Sequence, residues 1–224
     1  MSILLNLFSE FPLIELRHVC TNCLVSEEIA TDYKTNLFMQ RYLRPHDKLI
    51  VNHPILIKHI QKNYPKTELI YSTTMNITDI NIINELTKDH IYVLNYNYNN
   101  NNEYLKQLKY PNNIEILCAE QCMPNCPQRM NHYEYVSKTI LGLEEGNQFH
   151  CNSGNELLLF DDIMKLPTAI TSQRIDELAA MGIQYFKISG RTSKTPNWLI
   201  SILYYLALPE YRDHIYLKLL NKWW

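Results

Sequence analysis

Short apolar runs alternate with amphipathic stretches along most of the chain. Short runs bounded by turn residues are typical of strands buried in a parallel sheet, whereas apolar residues at helical spacing indicate helices. The runs predict five strands, at residues 48–52, 68–72, 91–95, 115–118 and 185–189. Residues 3–8 and 167–171 are weaker candidates for two further strands.

Helical patterns occupy the intervals between the predicted strands. Pro127 and Pro196 suit the first position of a helix, where no backbone N–H is needed, and Gly182 suits a helix end. The Asn-rich run at residues 96–102 is predicted to be a low-complexity loop. Helices are predicted at residues 54–64, 79–86, 103–109, 127–141 and 172–181, and from residue 196 onward.

This alternation predicts an α/β fold built from parallel βα repeats. The units are short and tightly connected, which suits a barrel-like sheet. A complete eight-stranded barrel usually needs about 250 residues, whereas this chain has 224. We therefore predict a single domain over residues 1–224, with a short or incomplete TIM-like barrel and an open doubly wound sheet as the alternative.

Composition and charge place few further limits on function. The hydrophobic fraction is 46%, the charged fraction is 20% and the net charge is −2, as in ordinary globular proteins and without a general basic field for nucleic acid. The amino terminus has no positive leader, and the longest apolar run, at residues 198–208, is too short to span a bilayer. We expect a cytoplasmic protein without a membrane partner.

A cysteine motif follows the predicted strand at residues 115–118. Cys118, Cys122 and Cys126 fall within nine residues and supply three of the six cysteines. In the cytoplasm such a cluster favours metal or iron–sulphur ligation over a disulfide framework. Pro124 and Pro127 prevent a regular helix, so Cys122 and Cys126 can curl around one centre. The alternative is that these are reduced core cysteines.

Two neighbouring features bear on this motif. Cys126 is expected at the start of a helix, where the helix dipole and Arg129 would lower the energy of its thiolate. Cys20 and Cys23 form a C-x2-C pair, which is itself a ligand-type spacing, although structural burial explains that pair equally well.

Two segments resemble the collagenase-like peptidase family (family U-thirty-two). The first is the strand that leads to C-x3-C-P-x-R-x-x-H-Y, from Cys122 to Tyr133. The second is GI-x-x-FKI-x-GR, from Gly182 to Arg191, followed by Asn-Trp-Leu. With the βα rhythm, the resemblance covers roughly residues 48–220, and the amino-terminal part is shorter than in the family, as though the first βα units were missing.

The resemblance implies a TIM-barrel-like domain and a metal cofactor. Several relatives bind a 4Fe–4S cluster through four cysteines, and zinc is the rival metal because four thiolates also suit it. On the matching positions, the ligands in this chain are Cys122, Cys126 and Cys151. The fourth ligand would be Cys118, or one of Cys20 and Cys23.

Four residues are candidates for catalysis. His132 is a candidate general acid–base, with a locally bonded helix-face histidine as its alternative. Arg191 falls at the carboxyl end of the last predicted strand, where barrel active sites lie, and would receive an anionic group. Lys187 would point into the barrel or form a structural ion pair, and Arg129 follows the cysteine motif. Other polar residues at strand ends are Asn52, Ser72, Thr73 and Asn95.

The resemblance leaves three functional hypotheses. The first is an iron–sulphur enzyme for redox or oxygen-independent hydroxylation-type chemistry on a small-molecule or RNA substrate. The second is a non-catalytic metal-binding subunit that forms a homo- or hetero-oligomer with a related barrel protein. The third is a peptidase, which ranks low because the sequence has no serine-hydrolase elbow and no HExxH helix.

Overall fold

The computed structural model describes residues 15–41, 43–146, 149, 159–188 and 197–223. Two candidate site residues, Cys151 and Arg191, lie outside the described residues. The strand candidate at residues 3–8 and the helix start expected at Pro196 lie outside them as well.

The described residues form short strands and helices in alternation. The strands are β1 (Arg17–Cys20), β2 (Lys48–Val51), β3 (Glu68–Tyr71), β4 (Ile91–Val93), β5 (Ile114–Leu117) and β6 (Tyr185–Lys187). The helices are α1 (Glu27–Thr31), α2 (Tyr33–Arg41), α3 (Pro54–Asn63), α4 (Ile80–Leu86), α5 (Asn102–Leu105), α6 (Arg129–Ile140), α7 (Phe160–Ile163), α8 (Ser172–Ala180), α9 (Asn197–Leu206) and α10 (Arg212–Trp223). Among the helical turns are Thr73–Met75 and Tyr96–Tyr98.

Strands that neighbour one another in the sheet also neighbour one another in the chain. Their order is β1-β2-β3-β4-β5-β6. The pairs β1–β2, β2–β3, β3–β4 and β5–β6 are parallel. The predicted α/β class with a parallel sheet is confirmed, while closure into a TIM barrel stays a prediction.

The chain divides into two compact units. The first contains the described residues of Met1–Ile77, Asp89–Tyr92 and Arg129–Phe149. The second contains those of Thr78–Lys88, Val93–Gln128 and His150–Trp224.

In the first unit, one face of α3 is apolar and buried. Pro54 occupies its first turn, and Nδ1 of His53 accepts a hydrogen bond from the N–H of Ile55 at 3.3 Å. The apolar face of the helix is buried, as are the strand residues of this unit. The buried side chains include Leu49, Ile50, Val51, Leu56, Ile57, Ile60, Leu69 and Ile70.

In the second unit, β5 and β6 pair in parallel, with Ile116 opposite Phe186. Every residue of β5 is buried. A separate apolar cluster forms where α7 meets α9. It contains Ala119, Phe160 and Ile163, packed against Met164, Ile200, Tyr204 and Tyr205.

Residues 167–171 do not form a strand, which corrects one sequence expectation. Pro167 has no backbone N–H to contribute to a ladder. The N–H of Ile170 bonds to the carbonyl of Cys118 at 3.1 Å, and Oγ1 of Thr171 caps α8 by accepting from the N–H of Arg174 at 3.1 Å. The segment is therefore a turn that leads into a helix.

The Asn-rich run is an ordered part of the second unit. Where the sequence predicts a loop, a helical turn at Tyr96–Tyr98 is followed by further turns up to Asn102. Tyr96 is fully buried, and its hydroxyl donates to the carbonyl of Met123 at 3.0 Å. Asn99 is also buried, and its Nδ2 donates to the carbonyl of Leu117 at 2.8 Å. Side-chain amides in this run thus satisfy backbone groups that a solvent-exposed loop would leave to water.

The helix after the cysteine motif begins two residues later than predicted. α6 starts at Arg129, and Pro127 lies in a turn. Asn125 has φ of 53°, in the left-handed region, so the chain turns before the helix instead of entering it directly. Cys126 therefore precedes the helix and does not lie in its first turn.

None of the helices in the described part of the chain combines the length and the apolar character that a membrane crossing requires.

Candidate functional site

The loop after β5 carries Cys122 and Cys126, and both are half-buried. The N–H of Cys122 donates to Oε1 of Glu120 at 3.0 Å. The N–H of Cys126 donates to the carbonyl of Met123 at 3.2 Å. As predicted, no regular helix runs through the motif, and the loop is held by its own turns.

The turn after β4 anchors this loop from outside. The N–H of Asn125 donates to Oδ1 of Asn97 at 2.9 Å, and the hydroxyl of Tyr96 donates to the carbonyl of Met123. Both contacts lie in the second unit. They hold the segment between the two thiols at the carboxyl end of β5, which is the edge of a parallel sheet where ligands usually bind.

Cys118 is placed differently from the other two cysteines of the motif. It directly follows β5 and is 1% exposed. Its N–H donates to the carbonyl of Lys187 at 2.9 Å. Burial, and next the charge of Glu115, raise the pKa of the Cys118 thiol to about 12. The residue is therefore a neutral thiol at physiological pH, as the core alternative expects.

Cys20 and Cys23 belong to the first unit. Cys20 ends β1, and burial raises the pKa of its thiol to about 11. Cys23 is half-buried. Its N–H donates to Oγ of Ser137 at 2.8 Å, and its Sγ accepts from Nδ2 of Asn52 at 3.2 Å.

The donor set of the described residues fits a metal only in part. Within the described ranges, no group of three or more His, Cys, Asp and Glu side chains is arranged to hold a metal ion. Cys151, the third ligand expected from the resemblance, lies outside those ranges. The fit therefore depends on Cys122 and Cys126, two thiols of one ordered loop.

Arg129 is buried in the first unit, at 5% exposure. Its Nε donates to the hydroxyl of Tyr133 at 2.9 Å, and its Nη2 donates to Oγ1 of Thr73 at 2.9 Å. The guanidinium thus connects α6 to the turn that follows β3. These contacts give Arg129 a positioning role, and its catalytic role stays a prediction.

His132 lies against an aromatic ring. Its imidazole stacks on Phe149, with ring centroids 4.7 Å apart and planes 9° apart. Tyr135 contacts the same Phe149 ring at 5.4 Å. Burial lowers the pKa of His132, so the neutral imidazole is favoured at physiological pH. This contact is a ring stacking, not the local hydrogen bond of the helix-face alternative, so that alternative and the acid–base role both stay predictions.

Lys187 faces a buried carboxylate in the second unit. Its Nζ lies 3.8 Å from Oε1 of Glu115, whose side chain is 1% exposed. This is the structural ion pair that the sequence left as an alternative to a catalytic lysine. The remaining catalytic candidate, Arg191, lies outside the described residues.

One arrangement at the carboxyl end of β2 was not predicted from the sequence. Asn52 was recognised only as a polar strand-end residue, whereas its amide contacts both Thr21 and Cys23. The spacing of Asn52 and Cys23 gave no signal, because the contact joins residues 29 positions apart.

Comparison of the chain with protein-family models, with curated proteins and with solved structures finds no match.

Proposed function

We propose that this chain is a metalloprotein that uses cysteine ligands and belongs to the U-thirty-two-like barrel class. Its favoured cofactor is a 4Fe–4S cluster, and its favoured activity is redox or oxygen-independent hydroxylation-type chemistry on a small-molecule or RNA substrate. The observation that supports this proposal is the loop after β5. That loop holds the half-buried Cys122 and Cys126 at the carboxyl end of a parallel strand.

Cys122, Cys126 and Cys151 would hold the group, and Cys118, Cys20 or Cys23 would supply the fourth thiolate. A bound cluster would supply one-electron transfer. The chain itself positions the ligands. Two hydrogen bonds do this: the Cys122 N–H donates to Glu120, and the Asn125 N–H donates to Asn97.

The test is anaerobic purification, with iron, zinc and acid-labile sulphide measured alongside the ultraviolet–visible and EPR spectra. We expect iron and sulphide in the wild-type protein and their loss in Cys122→Ala and in Cys126→Ala. A colourless protein with stoichiometric zinc and no sulphide would exclude the cluster. Metal content that is unchanged in both variants would exclude this loop as the site.

Cys118→Ala is the matched comparison, because it removes a neighbouring buried thiol that is only a candidate for the fourth ligand. Retention of the metal in Cys118→Ala, together with its loss in Cys122→Ala, separates ligation from general damage to the loop. Loss in Cys118→Ala without loss of folded structure by circular dichroism would instead identify Cys118 as the fourth ligand.

A further inference from the structure

The amide of Asn52 has a defined orientation at the carboxyl end of β2. Its Nδ2 donates to the carbonyl of Thr21 at 3.1 Å and to Sγ of Cys23 at 3.2 Å. A carbonyl oxygen can only accept, so the nitrogen of the amide must face Thr21. The position of Oδ1 is thereby determined as well.

Oδ1 of Asn52 is an acceptor without a donor. Asn52 is 9% exposed, and its Oδ1 is buried without a hydrogen-bond partner among the described residues. A buried acceptor that remains unpaired is costly, so native structures rarely keep one. None of the described residues supplies a donor to this atom, and it lies on the same amide that contacts a thiol.

The Cys23 thiol is held against this amide, and the residue as a whole is half-buried. Ser137 holds the segment: its Oγ accepts from the Cys23 N–H at 2.8 Å, and its carbonyl accepts from Nδ2 of Asn22 at 3.4 Å. The N–H of Leu24 then donates to Oδ1 of Asn22 at 2.7 Å. The thiol therefore has a defined position beside Asn52.

One face of α6 lies along this strand edge. Arg129, Tyr133 and Ser137 follow one another at helical i, i+4 spacing. Ser137 bonds to the segment after β1, and Arg129 bonds to Thr73 after β3. Since β2 pairs with β1 on one side and with β3 on the other, its end lies between these two anchor points.

We propose that Asn52 and Cys23 form a second binding site, contained within the first unit. It takes a small molecule whose primary amide or hydroxyl donates a hydrogen bond to Oδ1 of Asn52 while its neighbouring carbon contacts the Cys23 sulphur. This proposal requires that the Cys23 thiol is not a ligand of the metal proposed in the loop after β5, so that Cys118 or Cys20 would supply the fourth thiolate there.

Two alkylating probes that share a reactive carbon and differ in the substituents of the amide nitrogen test the site. Iodoacetamide carries the N–H donor, and N,N-dimethyl-2-iodoacetamide does not. In both reactions the Cys23 sulphur bonds to the probe's methylene carbon, the carbon–iodine bond breaks, iodide leaves and the thiol proton passes to buffer. Labelling of Cys23 in the full chain, as purified anaerobically, is followed over time by peptide mass spectrometry.

We expect the ratio of the two labelling rates at Cys23 to exceed the ratio for an unstructured cysteine peptide by roughly 2- to 10-fold, the effect of one hydrogen bond. Asn52→Ala should return the ratio to that of the peptide. Ser137→Ala, which leaves the Asn52 amide in place, should retain part of the selectivity.

Three outcomes would overturn the proposal. The first is a wild-type ratio equal to that of the peptide, a result that does not depend on how any variant folds. The second is a Cys23 that neither probe labels, with or without a chelator. The third is a Cys23 that is protected as purified and becomes labelled after chelation, since this would make it a metal ligand.

Discussion

Asp47 shows how one buried side chain holds the start of a strand. Its side chain has no exposed surface, and its carboxylate accepts from the N–H of Leu16 at 3.0 Å and from Nη2 of Arg44 at 2.8 Å. Nε2 of His18 lies 3.3 Å from the same carboxylate. Burial alone would raise the pKa of Asp47, but Arg44 and the backbone N–H groups outweigh it and hold the pKa well below its usual range.

Replacement of this carboxylate should destabilise the protein. We expect Asp47→Asn to lower the free energy of unfolding by about 2–4 kcal/mol at pH 7, because it leaves the partners of a buried ion unpaired. Urea unfolding measures the change. Asp32→Asn is the control in the same unit, since its carboxylate accepts from the Lys34 N–H at an exposed position.

The low pKa of Asp47 also predicts how the stability of the protein depends on pH. A carboxylate whose pKa is lower in the folded state stabilises fully above its unfolded pKa of about 3.9, and this contribution is lost as pH falls through the folded-state pKa. The difference in unfolding free energy between wild type and Asp47→Asn should therefore begin to shrink below about pH 4. A difference that grows on acidification would contradict the assignment.

Glu120 gives a residue-scale test of the cysteine loop. Its Oε1 accepts from the Cys122 N–H, so it positions a proposed ligand without being one. We expect Glu120→Ala to weaken metal binding by about 10-fold, in the range of outer-shell partners, and Glu120→Gln, which keeps an acceptor oxygen, to remain closer to wild type. Competition with a chromogenic chelator measures the metal affinity of both variants. Equal losses of affinity would show that the charge of Glu120 matters, and not its hydrogen bond to the Cys122 N–H.

At this scale the sequence predicted local backbone structure better than contacts. Pro124 and Pro127 predicted that no regular helix would run through the segment of Cys122 and Cys126, and the structure has turns there. The contact between Asn52 and Cys23 was not predictable, since it requires the ends of two strands to come together. For the same reason the burial of Cys118 was not visible in its spacing, which resembles that of a ligand.

At the scale of elements, Gly182 has a role that its position in the sequence already indicated. It follows α8, as predicted for a helix end, and its φ is +94°. A Cβ built at this glycine would lie 3.1 Å from Cγ of Pro111. Backbone conformation and close approach therefore both favour glycine here.

Gly142 separates these two effects. Its φ is +71°, but a Cβ at Gly142 would meet nothing within 4 Å. We expect Gly142→Ala to cost about 1 kcal/mol from the backbone alone, and Gly182→Ala to cost about 2 kcal/mol or more because the ring of Pro111 must also move. Urea unfolding of the two variants provides the comparison, and equal losses would assign the whole cost to conformation.

Elements with clear boundaries were predicted closely, and others were not. Pro54 and the apolar spacing after it placed α3 correctly. The start of α6 was misplaced because Asn125 takes a left-handed turn ahead of it. β1 was missed because its sequence, RHVC, has no continuous apolar run, and Val19 is 49% exposed.

At the scale of the whole molecule, the proposed metal should couple to stability. A ligand that binds only the folded chain raises the unfolding temperature of the protein. Removal of the metal should therefore lower that temperature. We expect a chelator to lower the Tm of the wild-type protein by several degrees. The Tm of Cys122→Ala should not change when the chelator is added. Calorimetry under anaerobic conditions measures this, and an equal shift in both proteins would contradict a metal site in this loop.

The parallel α/β class was predictable from alternating patterns, since buried strands and amphipathic helices leave distinct periodicities. Closure of the sheet is a different kind of property. Closure depends on the twist of the sheet and on the number of strands, and the hydrophobic periodicity of residues 48–220 predicts neither.

The first unit is discontinuous in the chain, and this bears on its synthesis. Its strands β1 to β3 come early, but Ser137, whose hydroxyl and carbonyl hold the Asn22–Cys23 segment, is translated only after the whole stretch Val93–Gln128 of the second unit. Domains generally fold as units, in order of their emergence. A nascent chain that stops before α6 would lack the bonds that this helix makes to the segment after β1 and to the turn after β3. The first unit therefore becomes complete during translation only after more than half of the protein has been made.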